Sequence, residues 1–250
     1  MQTPAVESSI EHTAIGRVVV PPDVPRGFQV FYTTIDFDGR IDDRIRDFVR
    51  PATLSSCHQV HGAAVCRAPV NESECDALWS GDKNSALIIK VADCLPVSII
   101  DPKNFVIANI HSGWRGTVQS ITAKTLQAMR FDATASLVAY LGPTIRVCCF
   151  EVGEEVAAQF DAQFVDRARG PKPHVDITAY TTAVLREHDI QNIIDTGLCT
   201  RCGTGVSALR GREVSESATT RPRNPETAQP LFHSYRRDKR TGRNLAIVAQ

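Results

Sequence analysis

Val91-Ala92-Asp93-Cys94-Leu95-Pro96-Val97-Ser98-Ile99-Ile100-Asp101-Pro102-Lys103-Asn104-Phe105-Val106-Ile107-Ala108-Asn109-Ile110-His111-Ser112-Gly113-Trp114-Arg115-Gly116-Thr117 is the stretch that decides the fold. Two apolar runs, Leu95 to Ile100 and Phe105 to Ile110, flank Asp101-Pro102-Lys103-Asn104. Proline presets φ, and Asp and Asn side chains bond their own backbone, so the middle is a turn and the runs are strands. A hairpin symmetric about the Pro102–Lys103 bond sets Ile100 opposite Phe105 and Cys94 opposite His111. Opposed residues share one side of an antiparallel pair, with Cβ atoms about 4.5–5.5 Å apart. That separation suits two ligands of one metal, or a thiol and its base.

Outward from the hairpin, Ala86 to Val91 is a continuous apolar strand. Phe28 to Ile35, Thr53 to Val60, Ala63 to Ala68, Ser136 to Leu141 and Ile190 to Ile194 also read as strands, as do Leu231 to Tyr235 and Asn244 to Val248. Helical spacing of apolar residues marks Arg40 to Val49, Thr117 to Met129 and Glu154 to Phe164. A further helix follows Asp176, a plausible N-cap. Strands outnumber helices and often follow one another directly. This pattern predicts an α+β fold, not an alternating parallel one. The first 25 residues read as a loose arm with one short strand at Arg17–Val20. The remainder, 26–250, suits by its length one large domain or two small ones, and 210–230 within it, rich in Ser, Thr and Pro steps, is a mobile loop.

The 250 residues carry equal numbers of basic and acidic side chains, so no global field recruits nucleic acid or anionic lipid. The apolar runs are too short to span a bilayer. No basic region followed by an apolar one opens the chain. The eight cysteines are irregularly spaced, with Cys148 and Cys149 adjacent, and fit no disulfide framework. A reduced, cytoplasmic protein is expected.

His61, Cys94 and His111 form a borderline-soft donor set suited to zinc or copper, and three protein ligands are how catalytic zinc sites leave a position open. Spacing alone leaves open a buried cysteine with two satisfied histidines. Gly113-Trp114-Arg115-Gly116 at a helix start offers backbone N–H groups and a guanidinium to an anion. The run from Phe232 to Arg243 is rich in arginine, and solvated faces are the commoner reading of such runs. Cys199-Thr200-Arg201-Cys202 lacks a second CxxC and reads as a structural or incidental pair.

Several stretches together resemble one family. They are Gln59-Val60-His61-Gly62, Ala92-Asp93-Cys94-Leu95-Pro96-Val97, His111-Ser112-Gly113-Trp114-Arg115-Gly116, Leu141-Gly142-Pro143-Thr144-Ile145, Phe150-Glu151-Val152-Gly153, Cys199-Thr200 and Ser234-Tyr235-Arg236-Arg237-Asp238. In this order they are similar to the laccase-domain family, also called multicopper polyphenol oxidase or purine nucleoside phosphorylase, which includes the peptidoglycan editing factors. The resemblance implies a single domain of mixed, mainly antiparallel sheets flanked by helices, related to a toxin deamidase. It implies that His61, Cys94 and His111 bind a metal, usually Zn2+, with Cu2+ possible at the same site. One departure is plain: the family's Ser-Thr-Arg near the N-terminus is here Thr33-Thr34-Ile35, without the arginine.

The leading expectation is a zinc-dependent purine nucleoside phosphorylase acting on adenosine or inosine, with adenosine deaminase activity. Its partners are purine nucleosides and phosphate, with neither nucleic acid nor membrane. Cys94, His111 and Asp93 are the catalytic candidates, and Arg115, Tyr235 and Arg236 the substrate contacts. Two alternatives stand: a Cys94–His111 amidase editing peptidoglycan precursors, and a copper polyphenol oxidase.

Overall fold

A computed structural model describes residues 8–49, 52–70, 72–129, 136–205, 230–239 and 242–250. Fourteen strands, β1 to β14, are described. With β1 at Ser9–Thr13, β2 at Gly16–Val20, β11 at Val165–Asp166 and β12 at His174–Val175, twelve build two six-stranded sheets, ordered β1-β2-β3-β14-β7-β4 and β13-β10-β8-β9-β6-β5, and β11 pairs with β12. The strands that matter below are β3 (Gln29–Thr33), β4 (Thr53–Ser56), β5 (Val65–Arg67), β6 (Ala77–Ser80), β7 (Ser85–Val91), β8 (Leu95–Asp101), β9 (Val106–Ser112), β10 (Val138–Leu141), β13 (Asn192–Asp195) and β14 (Asn244–Ala249).

Alternation along the strands sorts side chains into three apolar layers. Between the sheets, Tyr32, Leu87, Ala246 and Val248 of one meet Leu78, Ile100, Ile107 and Tyr140 of the other. On the outer face of the second sheet, Val97, Ile99, Ala108 and Ile110 pack on α3 (Ile121–Met129) and α5 (Ile177–Glu187). On the outer face of the first, Phe31, Ile88 and Ile247 pack on Ile45 of α1 (Asp43–Phe48). Central strands are therefore covered on both faces, and every residue of β8 and β14 is buried. A polar side chain links the two sheets across this layer. Asn109, fully buried on β9, donates through Nδ2 to the carbonyls of Leu87 (2.9 Å) and Ala246 (2.8 Å). The architecture is the expected single domain of mixed, largely antiparallel sheets with few helices. No described helix is long and apolar enough to cross a membrane.

Several local expectations are corrected. The central hairpin pairs Ile100 with Ile107 and Pro96 with His111, two residues away from the symmetric register. The turn is longer because Asp101 Oδ1 accepts from the N–H groups of both Lys103 and Asn104, and Phe105 takes a left-handed φ of 52°. A two-residue shift keeps each side chain on its face, so Cys94 and His111 stay on one side but are not directly opposed. The helix expected over 117–129 is two: α2 (Trp114–Val118) and α3, broken where Ser120 has φ 63°. Glu154 to Phe164 holds only a short α4 (Glu154–Ala157) and a single 3-10 turn, because Phe160 turns inward against Tyr180. Leu231 to Tyr235 is not a strand. Ser234 caps α6 (Tyr235–Asp238), accepting from Arg237 N–H. The supposed loose arm carries a β-hairpin, Ser9–Thr13 with Gly16–Val20, whose second strand joins β3. The expected mobile loop at 210–230 lies outside the described residues apart from Pro230.

Candidate metal centre

His61 comes from the connection between β4 and β5, Cys94 from the bend before β8, and His111 from β9. Their ligand atoms all lie within 4.8 Å of one another. The two imidazoles meet edge to face, ring centroids 4.8 Å apart at 79°. His111 is buried and His61 is exposed, so the group opens to solvent on the His61 side.

What aligns the two histidines is Asp76, fully buried just before β6. Its Oδ1 accepts from His111 Nδ1 (2.7 Å) and from the His61 N–H (2.9 Å). Its Oδ2 accepts from the N–H groups of Gly62 (2.7 Å) and Val60 (3.2 Å). These bonds hold His61 in a left-handed turn, φ 60°, and leave Nε2 of His111 as the ring nitrogen not bonded to Asp76. A carboxylate behind a ligating histidine fixes its tautomer and ring angle. Asp76 was not among the residues singled out from sequence. Its only local signal is an acid entering an apolar strand, Cys75-Asp76-Ala77-Leu78.

Burial pushes the Asp76 carboxyl up, but its bonds from His111, Gly62 and Val60 bring it below the ordinary carboxylate range. Burial likewise raises the Cys94 thiol, and the His111 and His61 rings outweigh it, lowering it to about 6. Burial lowers His111, while Asp76 and Cys94 raise it, with a net rise to about 9. The two rings thereby favour the thiolate of Cys94, the form that both attacks electrophiles and ligates metals. Gly113 leaves the space: a Cβ there would stand 3.2 Å from Cys94 Sγ and 3.4 Å from the His61 ring.

Asp93 does not point a free carboxylate at this centre. Its Oδ1 accepts from Thr200 Oγ1 (2.7 Å) and its Oδ2 from Arg236 N–H (2.6 Å). Its carbonyl accepts from Thr144 Oγ1 (2.7 Å) and Ile145 N–H (2.9 Å). Four bonds stabilise its left-handed φ of 88° and so set the direction in which the chain enters Cys94. Arg115 is exposed, with its guanidinium stacked 4.4 Å over the Trp114 ring. The helix that carries it, α2, has only five residues, so the expected anion cradle at a helix start is reduced to this one side chain. Tyr235 is 55% exposed at the start of α6. Arg236 is anchored rather than solvated, its Nη1 donating to Glu151 O at 2.9 Å.

A second gathering was not foreseen. Cys148 and Cys149 meet Cys199 and Cys202, with all four sulfurs within 4.8 Å.

Residues 43–212, well over half of the chain, match the family model described as multi-copper polyphenol oxidoreductase laccase. The chain belongs to this laccase family. It is similar to a purine nucleoside phosphorylase of Pseudomonas aeruginosa, 32% identical over 217 residues, which are 84% of this chain and 77% of that relative. It is also similar to adenosine deaminase RL5 from an unknown prokaryotic organism, 32% identical over 173 residues. That match spans 62% of this chain and 66% of the relative, just under two thirds of its length. Among solved structures, a hypothetical protein YfiH of Bacillus licheniformis superposes with a TM-score of 0.74 at 16% identity. The match covers 96% of this chain and 98% of that one, a likeness of fold. In this laccase-family chain, the two groups above are the only clusters of three or more metal-binding side chains among the described residues. Neither has the many histidines that several coppers need.

Proposed function

We propose that the protein is a zinc-dependent purine nucleoside phosphorylase with adenosine deaminase activity, its metal held by His61, Cys94 and His111. The observation that carries this reading is the convergence of two imidazoles and one thiolate, with Asp76 aligning both histidines. That donor set fits zinc: it is borderline-soft, one ligand is already anionic, and three protein ligands leave room for another. The names of the relatives supply the substrate class. Bound there, zinc supplies a Lewis acid and lowers the pKa of water.

Phosphorolysis displaces the base from the ribose C1′ by phosphate, and deamination displaces ammonia from adenine C6 by water. In both, this chain's residues orient and hold charge. Asp76 fixes His111 through Nδ1 and keeps the His61 turn in place. Asp93 acts by position, directing Cys94 through its bonds to Thr200, Arg236, Thr144 and Ile145. Arg115, stacked on Trp114 and exposed, is the candidate partner of phosphate, and a planar fork suits that anion. Tyr235 and the anchored Arg236 form the rim.

The test is incubation of the zinc-loaded protein with adenosine, with and without phosphate, followed by chromatography. Adenine and ribose 1-phosphate should form only with phosphate, and inosine without it. Both should vanish in His61→Ala, which should also lose the zinc held at this centre. Neither product from zinc-loaded protein would end the nucleoside reading.

One observation favours a second reading. Cys94 Sγ and a His111 ring nitrogen lie within 4.8 Å, the pairing of thiol and base that a cysteine hydrolase uses, here an amidase on peptidoglycan precursors. His61→Ala separates the two, since a Cys–His pair does not need that imidazole. Copper can occupy the same three ligands, but the histidine count does not build a multicopper oxidase.

A further inference from the structure

The adjacent cysteines Cys148 and Cys149 lie in the turn that follows Thr144 and Ile145. Cys199 and Cys202 lie in the loop that follows β13. Cys148 and Cys202 are 54 positions apart in sequence, yet their sulfurs are 3.6 Å apart. All four sulfurs fall within 4.8 Å of one another. Cys149 and Cys199 are buried, Cys148 is half-buried and Cys202 is exposed, which leaves an entry path.

We infer that Cys148, Cys149, Cys199 and Cys202 form a second metal site, a structural tetrathiolate zinc centre separate from the His61–Cys94–His111 group. Zinc–sulfur bonds of about 2.3 Å in a tetrahedron place the sulfurs about 3.8 Å apart. The observed spread of up to 4.8 Å closes onto that geometry by small side-chain movements. Four sulfurs with no nitrogen or oxygen donor select zinc or iron among the common ions. Binding displaces the thiol protons and gives a dianionic centre. Its surroundings suit that charge. The Arg201 guanidinium stands near Cys149, and Thr204 Oγ1 lies 2.9 Å from Cys202 Sγ. The loop is shaped for chelation by its own backbone. Gly203 N–H bonds to Cys199 O at 3.0 Å, and Cys199 N–H bonds to Thr204 O at 3.0 Å. Gly203 has the left-handed φ of 73° that this tight return requires.

The position explains why a metal belongs there. Residues 198–204 contain no regular element of their own beyond a bridge from Cys199 to Thr144. Thr200, between the two cysteines, donates through Oγ1 to Asp93 Oδ1 and through N–H to Thr144 O. A metal joining this loop to Cys148 and Cys149 would fix both segments that position Asp93, and through it Cys94. The link does not depend on which reaction occurs at the first centre.

The test uses the full-length protein and two readouts besides activity. Protein purified under reducing conditions should contain two zinc ions per chain. His61→Ala should retain one, and His61→Ala combined with Cys202→Ser, or with Cys148→Ser, should retain none. Cobalt added to metal-free His61→Ala should give the intense visible bands and sulfur charge-transfer absorption of a tetrathiolate, lost on adding Cys202→Ser. Cys202 is exposed, so its serine variant is expected to fold. Absence of zinc and of the cobalt bands in soluble, folded His61→Ala would overturn the proposal. So would a disulfide between two of these four cysteines, located by digestion and mass spectrometry of the non-reduced, metal-stripped wild type.

Discussion

Asp76 and His111 share a buried hydrogen bond of 2.7 Å between Oδ1 and Nδ1, with the two side chains 0% and 3% exposed. The same Oδ1 also receives the His61 N–H, so one oxygen positions two of the three candidate ligands. Loss of a carboxylate behind a metal-binding histidine costs about 10- to 100-fold in metal affinity. Asp76→Asn should therefore weaken zinc binding at the first centre by that factor, read by competition with a chelator. An affinity equal to wild type would show that ring orientation by Asp76 is dispensable.

Arg115→Lys keeps the charge but removes the planar fork and most of the stacking on Trp114. Phosphorolysis should fall through a higher KM for phosphate, with deamination of adenosine nearly unchanged. Equal loss of both activities would assign Arg115 to the fold instead.

Asn109 joins the two sheets through bonds to Leu87 O and Ala246 O, and Ser98 Oγ lies 3.1 Å from its Oδ1. Asn109→Ala leaves a void and buried polar atoms without partners, each costing about 1–3 kcal/mol. Chemical denaturation should show a loss of at least that order, with zinc content intact in protein that remains folded. A change below about 0.5 kcal/mol would mean that the layer repacks around the gap.

Arg17 holds Asp36 by two side-chain bonds of 2.7 Å, and these lower the Asp36 carboxyl to about 2. The folded value lies below the unfolded one of about 3.9. The pair's stabilisation is thus fully present at neutral pH and is lost as pH falls through about 2. With the carboxylate 30% exposed, the gain is about 1 kcal/mol or less. The stability gap between wild type and Asp36→Asn should be constant above about pH 5 and shrink toward pH 2. A gap that widens in acid would reverse this assignment.

The layered fold was legible because its strands alternate or run continuously apolar, and because helix starts such as Asp176 carry their caps. His61, Cys94 and His111 were legible as a donor set, and the structure brings their ligand atoms together. Asp76 was not, because its meaning lies in contacts 15 and 35 residues away rather than in neighbouring sequence. The register of the central hairpin escaped for a local reason: a left-handed Phe105 has no signature in its residue type. The same holds for the break at Ser120. The partners of Cys199 and Cys202 leave no local mark, because they are not a second CxxC but an adjacent pair from a distant turn.

The order of strands has a consequence for synthesis. β14 is last in sequence but stands between β3 and β7, hydrogen-bonded to both. On the ribosome, β3 and β7 emerge long before the strand that must separate them. Until Ala249 has left the exit tunnel, their inner edges stay unpaired and the Asn109 amide lacks its Ala246 acceptor. Nascent chains therefore carry two open edges from the emergence of β7 until that of β14, an interval in which edge-to-edge association is a hazard.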